Sequence, residues 1–173
     1  MSKEAAIERF LQEYPRAAEA GRGHPALQGC EEIDWAGFPA CPARIPTLLR
    51  AVLEPVAASA AAHTLTHCLI DSIAAMNPAA PAALPFLLRL AGDPGVTERA
   101  ALLDLLVLVA GFAESVDGEC AAMTLWYGSE AEHPERALCR AVFAEYARVV
   151  EAVGEHLTPV GGRDTLRQAA GLG

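Results

Sequence analysis

His63, His67 and Asp71 recur at steps of four, the spacing that brings side chains onto one face of a helix. Two imidazoles one turn apart can share a divalent metal, and a carboxylate a further turn along could complete or orient the site. The same trio suits acid–base chemistry, with Asp71 holding His67 in the tautomer a general base needs. There is no HExxH pattern and no identifiable third ligand, so neither a metal nor a cofactor is expected. The alternative is structural: a solvated polar helix face, with His67 hydrogen-bonded to a neighbouring loop.

Glu31, Glu32 and Asp34 form an acidic cluster beside Trp35 and Phe38. An aromatic anchor rimmed by carboxylates is how a hot spot for a basic partner is built. The same residues also fit an acidic first turn that complements a helix dipole, with Trp35 plugged into the core. Trp126, Tyr127 and His133 lie near an expected turn, where the two aromatics could line a groove or pack. Asp104 interrupts the most apolar segment and is expected to be buried with a partner such as Arg89, because an unpaired buried carboxylate is costly. The five cysteines are widely spaced without a CxxC pair, which points to free buried thiols. No GxGxxG, Walker, GxSxG or kinase-type motif occurs.

The elements that must position these groups read as helices. Of the 173 residues, 53% are hydrophobic and 20% charged, and alanine is abundant while β-branched and aromatic residues are scarce. Helices are predicted at Lys3–Ala20 (kinked or shortened at Pro15), Pro42–Leu53, Ala57–Met76, Ala82–Ala91, Glu98–Glu114 behind Thr97 as N-cap, Gly118–Tyr127 and Glu135–Leu157. Leu65, Cys68, Leu69, Ser72 and Ile73 share the expected apolar face of the third, and the segment RAALLDLLVLVAGF is expected to be a buried central helix. The last expected helix carries a stripe of Leu138, Val142, Val149, Val153 and Leu157. Glu31–Trp35 reads as a short helical turn. No strand alternation is convincing. The fold class is therefore all-α, with stacked antiparallel helical hairpins in a single compact domain over 1–160, followed by a capping turn or flexible tail over 161–173.

Net charge is −9 and the arginines are scattered singly, with Lys3 the only lysine. That pattern excludes phosphate-driven nucleic-acid binding and attachment to anionic lipid, both of which need clustered basic residues. An acidic surface instead steers basic partners. The N-terminal MSKEAAIERF lacks the apolar core of a secretion signal and the longest apolar run is too short to span a bilayer, so a cytoplasmic location is expected.

Two segments, IPTLLRAVLEP from Ile45 and LPFLLRLAGDP from Leu84, repeat one pattern about 39 residues apart. Together with IDW at Ile33–Trp35, THC around His67, PAAPAALPFLLRLAGDP at Pro78–Pro94 and RAALLDLLVLVA at Arg99–Ala110, they make Leu27–Gly111 resemble a family of small bacterial HEAT-repeat-like proteins. The chain departs from that family at His67-Cys68-Leu69, where members carry His-Gln-Gly, and at Ala40-Cys41-Pro42, where they carry a Tyr-Gly step. The resemblance implies an α-solenoid used for recognition, and some members resemble immunity proteins that neutralise toxins. The leading expectation is a non-catalytic protein that binds a basic protein partner through Glu31, Glu32, Asp34, Trp35, His63, His67, Trp126 and Tyr127. The alternative is an enzyme or small-ligand protein of bacterial metabolism, such as specialised-metabolite biosynthesis, with a concave pocket, His67 as acid/base and Asp71 or Asp34 in support.

Overall fold

Proline and glycine punctuate the chain, and the helices form between them. The computed structural model describes residues 1–96, 98–116, 120–157 and 160–172. It is 63% helical, with one small two-stranded sheet. α1 (Lys3–Glu13) is capped by Ser2, whose hydroxyl accepts from the Ala5 N–H, and Pro15 turns the continuation into a 3₁₀ segment, Pro15–Glu19. Then come α2 (Ile45–Ala51), α3 (Ala58–Leu69), α4 (Ala80–Gly92), α5 (Ala100–Ala113), α6 (Ala121–Tyr127), α7 (Pro134–Glu145), α8 (Ala147–Gly154) and α9 (Val160–Ala169). The expected N-cap Thr97 and the start of the expected 118–127 helix lie outside the described residues.

α5 is the hub, packed against α3, α4, α7 and α9, with Leu102, Leu105, Leu106, Val109 and Ala110 buried. It is not apolar on all sides. Asp104, Leu108 and Gly111, at spacings of four and three, form an exposed stripe. Asp104 therefore stands in water, which removes the need for a buried partner. Arg89, expected to pair with it, instead lies 4.7 Å over the Phe86 ring and donates to the carbonyls of Pro85 and Gln28.

Three further expectations are corrected. The helix predicted to Met76 ends at Leu69, and β1 (Ile70–Ser72) pairs antiparallel with β2 (Ala75–Met76), Ile70 opposite Met76. Buried Asn77 organises this turn: its amide N–H donates to Leu69 O, its Nδ2 donates to Pro39 O and to the Asp71 carboxylate, and its Oδ1 accepts from Ala79 N–H. One buried side chain with this many partners outweighs the helix propensity of the alanines around it. Ser72 and Ile73 thus leave the apolar face, and Ile73 is 91% exposed at the tip of the hairpin.

The predicted 135–157 helix breaks at Tyr146 into α7 and α8, so the buried positions become Cys139, Phe143, Val150 and Val153 while Leu138 faces solvent. Finally, the 161–173 segment expected as a turn or tail forms most of α9, which packs on α5 and α8 with Leu166 fully buried. Among the described residues, no helix is long and apolar enough to cross a membrane.

Candidate functional site

The residues expected to do chemistry do not converge. His63 and His67 are both exposed on α3, in a shallow groove of about 280 Å³ against Phe10 of α1 and Tyr14 just after it. His63 Nδ1 lies 2.7 Å from Ser59 O one turn back. Asp71 is not the next turn of that helix, since α3 has already ended. Its carboxylate is taken by Lys3 Nζ at 2.5 Å and by Asn77 Nδ2. The acid–base pair of His67 with Asp71 is thereby dissolved. Among the described residues, no three His, Cys, Asp or Glu side chains group as metal ligands would.

The acidic cluster loses its aromatic. Trp35 is 3% exposed, its Nε1–H donates to Cys30 O at 2.8 Å, and its ring packs near Phe38 and Phe86. Asp34, though exposed, is engaged with its own backbone, accepting from Gly37 N–H to cap the 3₁₀ turn Trp35–Gly37. Glu31 is ion-paired with Arg50, while Glu32 is exposed. Glu31 and Glu32 line a larger, polar loop cavity of about 760 Å³ formed by 21–25, 27–32 and Arg50. Its arginines are matched there, Arg50 by Glu31 and Arg22 by Glu19, and His24 Nε2 lies 3.5 Å from the Asp93 carboxylate.

A different cleft collects what the sequence left scattered. The exposed stripe of α5 supplies Leu108 and Gly111, flanked by Val107 and Phe112, as the floor of a groove of about 430 Å³. Met123 and Tyr127 of α6 form one wall, and Arg136 of α7 and Thr165 of α9 close the rest, with Glu114 at the rim. Two arginines of α7 hold this architecture together. Arg140 donates to Ala113 O at the end of α5 (2.6 Å) and makes a bidentate pair with Glu130 (3.2 and 2.8 Å), which holds that carboxyl below the usual carboxylate range. Arg136 donates to Tyr127 O, Gly128 O and Ala74 O, tying the end of α6 to the hairpin. Gly128, at φ 71° and ψ 169°, ends α6 in a region that only glycine occupies comfortably.

No family model, curated protein or solved structure matches this chain.

Of the residues singled out in the sequence, Tyr127 lines this groove, and Trp126 and Leu125 stand beside it on α6, 72% and 84% exposed. Leu108, Gly111, Met123, Arg136 and Thr165 escaped sequence reasoning. The available signal was the spacing of Asp104, Leu108 and Gly111, which sets a charged residue, a leucine and a glycine on one face of an otherwise apolar helix.

Proposed function

We propose that this chain is a binding protein whose site is the groove between α5, α6, α7 and α9. One observation carries the reading: four helices that could have closed over Leu108 and Phe112 leave an apolar cleft open, with Leu125 and Trp126 uncovered beside it. A cleft of this size, mostly apolar with a few polar groups at its edge, is what ligand sites look like. Exposed apolar groups gathered in one place mark an interaction site more often than groups scattered singly.

The HEAT-like arrangement implied by the resemblance belongs to the same proposal. It draws support from α2 packed on α3 and α4 packed on α5, sequence neighbours that form two successive helical pairs. A second reading, a basic protein partner of the immunity type, has its own support. The chain carries −9, Glu31, Glu32 and Asp34 are exposed, and Leu125 and Trp126 take over the anchoring role that buried Trp35 cannot fill.

The test uses Nile red, a neutral apolar dye. Folded protein should bind it with a blue-shifted, saturable emission. Gly111→Phe should abolish that signal with the helical circular dichroism unchanged, because a Cβ at Gly111 meets nothing within 4 Å and its ring would fill the cleft. Dye binding that survives Gly111→Phe would move the site elsewhere, and the absence of binding to the wild-type chain would overturn the reading.

A further inference from the structure

We infer that the groove takes a small apolar carboxylic acid, its carboxylate paired with the Arg136 guanidinium and its tail against Leu108, Phe112 and Met123. This rests on the groove being a binding site, and it adds the ligand's chemical class.

Arg136 is the one buried arginine among the described residues, 2% exposed, and it lines the cleft. Its three hydrogen bonds all go to main-chain carbonyls, and no carboxylate among the described residues lies within 4.0 Å of it. The nearest candidates in sequence are otherwise engaged: buried Glu135 faces His133 Nδ1 at 2.8 Å, and Glu130 is held by Arg140. Carbonyl dipoles at the end of α6 offset part of the buried positive charge, and among the described residues no carboxylate pairs with it directly. Three of the five guanidinium N–H donors are used, so two remain for an incoming group. The two left are Nε–H and one Nη1–H, on different edges of the guanidinium, so a carboxylate would accept one charge-assisted hydrogen bond from it beside the charge pairing.

The remaining surroundings narrow the class. The floor and the α6 wall are apolar, which requires a tail. The acidic surface and Glu114 at the rim disfavour a multiply charged phosphate relative to a single negative charge. A monocarboxylate with an acyl or aryl tail satisfies both conditions.

Isothermal titration of the full chain with decanoate, decan-1-ol and decyltrimethylammonium at neutral pH is the test. Decanoate should bind one per chain and at least tenfold tighter than decanol, with the ammonium weakest. Arg136→Met should bring decanoate down to the decanol level while decanol affinity stays put, and Arg136→Lys should recover only part of the preference, because the ammonium keeps the charge but not the set of carbonyl bonds that fixes the guanidinium in place. If Arg136→Met disturbs α6, decanol binding will fail too, and the wild-type preference alone then decides. Decanoate binding no tighter than decanol would overturn the inference, and so would a peptide with a free C-terminal Leu-Phe that occupies the groove when decanoate does not. Nile red bound with no carboxylate preference would sink the ligand class and leave the groove as a site. No binding of either would sink both.

Discussion

Burial pushes the Cys41 thiol up to about 11 and those of Cys68 and Cys139 up to about 12, and it raises Cys30 as well, because a thiolate in these places would lose its hydration. The thiolate is the reactive form, so these four groups are inert near neutrality. Cys120, just ahead of α6, is the one cysteine not buried. With Ellman's reagent at pH 8, the native protein should therefore show a single fast thiol that disappears in Cys120→Ser, and all five should react in denaturant. Fast reaction at several sites would mean that the core around Cys41 and Cys68 opens readily. The same physics separates what a residue's type promises from what it does here. Trp35 looked like an anchor, but its indole N–H found a carbonyl inside the fold. Arg136 drew no notice in the sequence, yet it carries a buried charge beside a cleft.

Among the elements, α9 is the instructive case. VGGRDTLRQA has two glycines near its start and only one large apolar residue in its interior, so local propensity disfavours it by about 1 kcal/mol per glycine. Tertiary contact reverses that. A Cβ at Gly162 would come within 3.3 Å of Val107, so the missing side chain lets α9 lie close on α5, and Leu166 is fully buried. Leu166→Ala should accordingly cost about 2–5 kcal/mol in denaturant unfolding, as core leucines do. A change of a few tenths would return the segment to the status of a tail.

The central helices were legible because leucines at 3.6-residue spacing have one packing solution, and α4 and α5 fall close to where the pattern puts them. The hairpin after α3 was not, since it depends on Asn77 reaching Pro39, 38 residues away, a contact that no local window contains. The groove was illegible for the same reason. Its walls come from four helices, and only their packing brings Gly111, Tyr127, Arg136 and Thr165 together.

At the scale of the whole molecule, charge is the dominant asymmetry. A net charge of −9 on a chain of 173 residues repels itself in the compact state more than in the expanded one. Against this stand ion pairs that are mostly exposed, such as Arg22–Glu19 and Arg167–Glu151, which contribute little and are readily screened. Raising sodium chloride from about 0.01 M to about 0.15 M shortens the screening length from roughly 30 Å to roughly 8 Å. The midpoint of thermal unfolding should rise over that range. A falling midpoint would mean that the better-sheltered pairs, Lys3–Asp71 and Arg140–Glu130, outweigh the collective repulsion.

The two tryptophans sit in opposite surroundings, and this gives the protein two built-in optical reporters. Trp35, sealed beside Phe38 and Phe86, emits from an apolar medium out of reach of iodide in solution, so its signal follows the collapse or loss of the whole core. Trp126, standing in water on α6 next to groove-lining Tyr127, emits at longer wavelength, is open to collisional quenching, and follows the state of α6. Replacing either one by phenylalanine isolates the other, so loss of the core and changes at α6 can be followed separately without any added label.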